Sequence, residues 1–142
     1  MRKFKGDFIF GTATASYQIE GAAGDGGRTP SIWDVFSKED GNVFMGHTGD
    51  IACDHYHRMK EDVKILENIG VDSYRFSISW SRIFPYKDKF NPEGVKFYRD
   101  LIQELKKKKI TPAITLYHWD LPQWAQDRSE ERRVGKECGS SV

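Results

Sequence analysis

The sequence has little cysteine, little net charge and no long apolar run. Its 142 residues include only two cysteines, Cys53 and Cys138, which lie far apart and form no C-x-x-C pair. This pattern argues against a disulfide framework or a zinc site and predicts a reducing compartment, which we take to be cytoplasmic. A formal net charge of +1 argues against binding to nucleic acid or to an anionic membrane.

Signals for secretion, for a membrane span and for a bound cofactor are also missing. Lys5, Gly6 and Asp7 interrupt the apolar residues near the N-terminus, so we expect neither a signal peptide nor a membrane partner. His55 and His57 are two residues apart and do not share a helix face, so we expect no metal ion. The sequence points to no cofactor.

The sequence does contain an alternation of strand and helix patterns. This order is typical of parallel strands joined by crossover helices, in an α/β protein that is either a doubly wound sheet or a (β/α)₈ barrel. The glycine fingerprint of dinucleotide-binding folds does not follow the first strand, which favours the barrel without excluding the other fold. The predicted elements are a strand at residues 8–12, a helix at 55–69, a strand at 71–79, a helix from 91 into the basic run 106–109, and a strand at 110–116.

Individual residues specify the helix ends. Asp54 can cap the start of the first predicted helix, and Gly70 can end it in a left-handed turn. Asn91 is a good cap before Pro92 at the start of the second. A glycine-rich loop at residues 13–54 is long enough to be functional, with a short helix near residues 32–36, and a second loop covers residues 80–90.

The end of the third predicted strand carries side chains suited to sugars. Tyr117, His118, Trp119 and Asp120 directly follow the apolar run. Sugar hydroxyls need directional hydrogen-bonding partners, and the C–H faces of sugars pack against aromatic rings. In a barrel, such residues at the C-terminal end of a strand indicate a site. The stretch 110–127 therefore predicts a carbohydrate-binding function.

Three segments resemble blocks of the family-one glycoside hydrolases, the β-glucosidase family. They are residues 10–21 (FGTATASYQIEG), 74–83 (YRFSISWSRI) and 115–122 (TLYHWDLP), and the resemblance covers residues 4–127. It implies about three βα units from the N-terminal portion of a (β/α)₈ barrel. It also implies a parent enzyme that hydrolyses terminal β-D-glucosyl residues of β-glucosides or cello-oligosaccharides with retention of configuration.

The resemblance also implies roles for four residues. Gln18 would hydrogen-bond glucose hydroxyls through both the carbonyl and the amide of its side chain. His118 would donate to another hydroxyl, and Trp119 would contact the same sugar. Arg75 would lie beside the catalytic nucleophile and keep it ionised, because an adjacent positive charge lowers the pKa of a carboxylate. The block around Gln18 is closer to plain β-glucosidases than to 6-phospho-β-glucosidases.

The other tryptophans have both a structural and a functional interpretation. Trp33 either lines the site or packs beneath the long loop, and the sequence leaves both open. Trp80 and Trp124 are expected to pack.

Both catalytic carboxylates of the family are missing. Retaining glycosidases use two carboxylates about 5–5.5 Å apart. In this family they are glutamates in a Thr-(Leu/Phe/Ile)-Asn-Glu-Pro block and a Thr-Glu-Asn-Gly block, and neither block occurs in the sequence. Glu20, Asp54 and Asp120 are the available substitutes, and we expect Glu20 and Asp120 to be structural. The alternative function is therefore a catalytically inactive sugar-contacting or inert barrel fragment.

The last residues depart from the rest. Residues 128–142 (RSEERRVGKECGSSV) hold two aliphatic residues and no periodicity. We divide the chain into a barrel part at residues 1–127 and a non-family tail at 128–142, which we expect to be disordered or to come from read-through into adapter DNA. Three strands cannot close a barrel, so we expect the isolated chain, with its free sheet edges, to be prone to aggregation or only partly folded.

Overall fold

The computed structural model describes residues 4–128 and contains one parallel sheet. Strands β1 (Gly11–Ala13), β2 (Ser73–Ser77) and β3 (Thr111–Thr115) lie in the order β1-β2-β3. The register places Ala13, Arg75 and Ala113 side by side. The parallel strands predicted from the alternating pattern are therefore confirmed.

Two long helices and several short ones connect the strands. The predicted helix between the first two strands is confirmed with its bounds, and the second crossover helix ends within the predicted basic run. The loop predicted at residues 13–54 contains two short helices and a 3₁₀ turn, and the loop predicted at 80–90 begins with a helical turn. The helices are α1 (Ser16–Ile19), α2 (Ile32–Phe36), α3 (His55–Ile69), α4 (Trp80–Ile83) and α5 (Pro92–Lys107), and the 3₁₀ turn is Phe44–Gly46.

The first strand begins at Gly11, whereas the sequence pattern predicted a strand from residue 8. Phe8 and Phe10 lie outside the ladder, and their rings pack against each other and against Phe4 with centroids 4.5–5.2 Å apart. The carboxylate of Asp72 accepts a hydrogen bond from the Phe10 backbone N–H at 2.9 Å. The apolar run at residues 8–12 thus marks an aromatic cluster at the entry to β1, and only its last residues pair with β2.

The helix ends agree with the sequence at two of three positions. Asn91 accepts a hydrogen bond from the backbone N–H of Glu93 at 3.2 Å, and Gly70 ends α3 with φ of 78°. The predicted cap at Asp54 is wrong. Asp54 has a left-handed backbone with φ of 56° and makes no side-chain cap bond, because its carboxylate lies 2.6 Å from Nδ1 of His57.

The core lies between one face of the sheet and the two long helices. Tyr74 and Phe76 of β2 point into it, while Arg75 between them points to the opposite face and is exposed, as the two-residue period of a strand requires. Burial of these apolar side chains is the main source of stability. The buried core residues are Met59, Val63, Tyr74, Phe76, Phe97, Tyr98, Leu101, Leu105 and Ile110.

Both outer strands of the sheet have only one neighbour within residues 4–128. Beside the β3 edge, Ile114 and Leu116 are 44% and 69% exposed. The sheet is thus incomplete, with unpaired backbone groups and apolar side chains at its margins. None of the helices in residues 4–128 is long and apolar enough to cross a membrane.

Residues 123–128 are helical and continue the chain beyond the third block. The predicted tail at 128–142 lies, apart from its first residue, outside the described residues, and so does Cys138.

Candidate functional site

A cleft of about 320 Å³ lies at the C-terminal ends of β1 and β3. It brings together the three predicted sugar-contacting residues, although Gln18 is far from the other two in sequence. Trp33, whose position the sequence left open, lines the same cleft. The lining residues are Ala15, Tyr17, Gln18, Trp33, His118 and Trp119.

The predicted contact residues have unused hydrogen-bonding groups. Gln18 and Trp119 are exposed, and His118 is half-buried. Within residues 4–128, the Gln18 amide, the His118 imidazole and the Trp119 indole N–H have no hydrogen-bond partner in the protein. A planar amide, an imidazole and an indole thus face one cleft with their bonding capacity free for a ligand.

An aromatic wall forms one side of the cleft. The rings of Tyr17 and Trp33 lie 6.3 Å apart at 31°, and Phe36 meets Trp33 edge-on at 5.4 Å. The Tyr17 hydroxyl donates to Oγ of Ser37 at 2.9 Å. Sequence reasoning gave Tyr17 no role, although it lies directly before Gln18 in the first family block.

A buried ion pair holds the helix that carries Trp33. Ser31 caps α2, and the carboxylate of Asp34 accepts hydrogen bonds from the Ser31 backbone N–H and from Arg28, each at 2.7 Å. Burial alone would raise the pKa of Asp34, but the hydrogen bonds and charge of Arg28, with the Ser31 bonds, lower it below its usual value. The ionised Asp34 carboxylate, paired with Arg28, therefore holds α2 in place.

The segment that carries His118 and Trp119 is fastened at both ends. Nε1 of Trp80 donates to the backbone carbonyl of Leu116 at 2.8 Å. The backbone N–H of Ile32 donates to the carbonyl of Leu121 at 2.8 Å. Trp80 is 41% exposed and supports the loop from outside the cleft through this hydrogen bond.

Trp124 also has a supporting contact. Its Nε1 donates to the backbone carbonyl of Phe84 at 3.0 Å, which ties the helical turn after the third block to the loop after α4. Trp124 does not line the cleft.

Arg75 lies outside the lining of this cleft. It projects from the middle of β2 on the face opposite the core, beside Ala13 and Ala113. Its guanidinium has no ion-pair or hydrogen-bond partner in the part of the chain that the structure describes. Its predicted role beside a nucleophile stays a prediction.

The three carboxylates considered as substitutes for the catalytic pair have partners outside the cleft. Glu20 is buried, where it pairs with Nε of Arg82 at 3.1 Å and accepts the Tyr98 hydroxyl at 2.6 Å. Asp120 is 1% exposed and accepts the hydroxyl of Ser16. Burial raises the pKa of Asp120, while the Ser16 hydrogen bond opposes that increase. With Asp54 held beside His57, none of the three lines the cleft.

The buried Arg82 is a structural residue that the sequence pattern did not indicate. It is fully buried, and its guanidinium lies 4.0 Å from the centre of the Tyr56 ring. Within residues 4–128 no group of three metal-ligating side chains is close enough to hold an ion. His55 instead lies 2.6 Å from the carboxylate of Asp62.

The fold and the position of the cleft define the N-terminal part of a (β/α)₈ barrel with its site at the C-terminal ends of the strands. The crystal structure of a GH1 β-glucosidase from Exiguobacterium antarcticum B7 superposes on the chain with a TM-score of 0.89 at 60% identity. The superposition covers 90% of this chain and 29% of that one. The barrel of this chain is therefore incomplete.

The family model for glycosyl hydrolase family 1 matches residues 1–132. The chain belongs to this family. It is 60% identical to β-glucosidase A of Acetivibrio thermocellus over 126 residues, which are 88% of this chain and 28% of the relative. It is 52% identical to the aryl-phospho-β-D-glucosidase BglC of Bacillus subtilis over 87% of this chain and 26% of that protein. The chain thus spans about a quarter of the length of the curated relatives it matches.

Proposed function

We propose that this chain carries part of the glucose-binding subsite of a β-glucosidase. The parent protein would hydrolyse terminal β-D-glucosyl residues by a retaining mechanism with two glutamates. The observation that carries the proposal is the convergence of Gln18, His118 and Trp119 in one cleft with their hydrogen-bonding groups unpaired. Membership of a family whose relatives include named β-glucosidases supports it.

Each side chain contributes a different interaction with a pyranose ring. The Gln18 side chain accepts through its carbonyl and donates through its amide, so it bonds two neighbouring hydroxyls of one sugar. His118 donates to a further hydroxyl, and Trp119 offers an indole face to the C–H surface of the ring. Because a site that hydrogen-bonds a particular hydroxyl discriminates against ligands that lack it, this set selects among sugars as well as binding them.

The chain alone is proposed to be catalytically inactive. Glu20 and Asp120 are buried and hydrogen-bonded away from the cleft, so neither stands where a retaining pair of carboxylates is needed. Arg75 is proposed to act only in the parent enzyme, where its charge would hold the nucleophilic carboxylate in the ionised form.

The substrate is proposed to be an uncharged β-glucoside or a cello-oligosaccharide. The block around Gln18 is closer to plain β-glucosidases than to 6-phospho-β-glucosidases, and a relative named as a β-glucosidase is 60% identical to the chain. The relative named as an aryl-phospho-β-D-glucosidase keeps the phosphorylated substrate class as the second candidate. The cytoplasmic location predicted from the cysteine content remains a proposal.

The test uses a chimera in which residues 4–127 of this chain replace the matched segment of the Acetivibrio β-glucosidase A. We expect the chimera to hydrolyse an aryl-β-glucoside. Gln18→Ala and His118→Ala should each lower kcat/KM by about tenfold or more, because each removes a hydrogen bond and leaves the sugar hydroxyl unpaired. Thermal melting checks that both variants stay folded.

Two exposed positions outside the cleft supply matched controls. Gln103→Ala on α5 and His47→Ala in the long loop remove the same side-chain types from the surface, and both should leave kcat/KM unchanged. Unaltered kinetics in both Gln18→Ala and His118→Ala would refute the subsite assignment.

A further inference from the structure

Three buried polar side chains connect the end of β2 to the segments that follow β1 and β3. Ser16, Ser77 and Asp120 are 3%, 2% and 1% exposed, and together we call them the polar cluster. The Ser16 hydroxyl donates to the carboxylate of Asp120, and the Ser16 backbone N–H donates to Oγ of Ser77 at 2.7 Å. Oγ of Ser77 donates in turn to Oγ of Ser16 at 3.1 Å.

The polar cluster connects the two segments that form the two halves of the cleft, α1 with Gln18 and the segment 117–120 with His118 and Trp119. Ser16 is the first residue of α1, which carries Gln18, and Asp120 directly follows His118 and Trp119. Within residues 4–128, the Ser16–Asp120 bond is the one hydrogen bond that joins α1 to the segment 117–120. Ser77 ties the same point to the end of β2, so the cluster fixes both halves of the cleft to the sheet.

The segment that contains Asp120 includes a residue with an unfavourable backbone conformation. Trp119 has φ of 67°, in the left-handed region that residues with a side chain rarely adopt. Such strained residues persist only where the surroundings determine them. Two backbone bonds hold the segment at Leu116 and Leu121, and Asp120 holds it directly beside the strained residue.

We propose that Ser16, Ser77 and Asp120 are positioning residues that set the distance and orientation of Gln18 relative to His118 and Trp119. A binding constellation works only when its side chains are held to within about 0.5 Å of the required geometry. Loss of the Ser16 hydroxyl would leave this buried carboxylate with only the backbone donors of its own segment, at His118 and Asp120. Because the hydrogen bond from α1 would be gone, the segment 117–120 would move away from its present position. The claim that this geometry serves a sugar rests on the proposed function. The claim that the polar cluster fixes the geometry is independent of it.

The experiment follows the tryptophans of the whole chain by ¹⁹F NMR after labelling with 5-fluorotryptophan. The chain has four tryptophans, so single Trp→Phe changes assign every resonance. Ser16→Ala should shift or broaden the Trp119 resonance and leave that of Trp124 in place. Asp120→Asn in the otherwise unchanged chain should give a spectrum close to the original, because the amide oxygen still accepts the Ser16 hydroxyl.

Ser81→Ala is the matched control. Ser81 is also fully buried, but its hydroxyl has no partner within the described residues, so the same chemical change removes no hydrogen bond. The Trp119 resonance should stay where it is in this variant. Identical Trp119 resonances in Ser16→Ala, Ser81→Ala and the unchanged chain would overturn the positioning role.

The chimera supplies a second readout that remains usable if the labelled chain or its variant does not fold. In the chimera, Ser16→Ala should raise KM and the inhibition constant of glucose several-fold, whereas Ser81→Ala and Asp120→Asn should change them little. Equal constants in all variants would also overturn the proposal. A Trp119 resonance that responds to Ser16→Ala, with kinetics indifferent to Gln18→Ala, would retain the positioning role and reject the sugar assignment.

Discussion

At the scale of single residues, the structure separates side chains that face the cleft from side chains that hold it. Gln18, His118 and Trp119 keep free hydrogen-bonding groups, whereas Glu20 and Asp120 are buried with partners. The sequence predicted the first set because the family blocks name those positions. It did not predict the partners of the second set, because the contact between Glu20 and Arg82 depends on how two distant loops fold together.

Asp34 provides a prediction about pH. Its pKa is lowered in the folded chain, so its stabilising contribution is complete above the unfolded value of about 3.9 and is lost as the pH falls through the folded value. Asp34→Asn should lower the free energy of unfolding by about 1–3 kcal/mol at neutral pH. Urea unfolding of the chimera at a series of pH values should show this difference shrinking with acidification.

Asp40 is exposed, so Asp40→Asn is the control for that series and should hardly change the urea midpoint. A difference between Asp34→Asn and the unchanged protein that stays constant down to acidic pH would contradict the ionised Arg28–Asp34 pair.

At the scale of elements, the two long amphipathic helices and the short helix α2 were predicted, whereas the one-turn helices α1 and α4 were not. α3 and α5 each contain several turns of apolar periodicity, while α1 and α4 contain one turn each and leave no periodic signal. The bounds of β1 could not be predicted either, because they depend on pairing with β2 and not on the local apolar pattern. The cap at Asp54 failed for a similar reason, since His57 captures its carboxylate.

The long loop between β1 and α3 yields a prediction about packing. Gly21 has φ of 61°, and a Cβ there would lie 2.0 Å from the carbonyl oxygen of Ile51. Gly41 also has a positive φ, of 85°, but a Cβ there would meet no atom within 4 Å. Gly41→Ala should cost about 1–2 kcal/mol of conformational strain, whereas Gly21→Ala adds a backbone clash and should cost clearly more.

Urea midpoints of the two chimera variants measure this difference directly. Equal midpoints for Gly21→Ala and Gly41→Ala would mean that the contact between the loop segments at Gly21 and Ile51 does not form.

At the scale of the whole molecule, the sheet has two unpaired margins in residues 4–128. The strand alternation predicted the parallel sheet, and the three blocks predicted the barrel family to which it belongs. A single sequence pattern does not show which apolar residues are covered, so the exposure of Ile114 and Leu116 emerged only from the fold. Open edges and exposed apolar side chains favour association, so we expect the purified chain to aggregate more readily than the chimera.

The most direct test is an aryl-β-glucosidase assay on homogeneous 142-residue chain beside the chimera, both checked by mass spectrometry. The chain should show no turnover because its buried carboxylates cannot serve as a catalytic pair, and the chimera should be active. That result would mean that residues 4–127 support an active site whose catalytic groups lie in other parts of the barrel. Clear turnover by the chain itself, or a folded chimera without activity, would contradict this division.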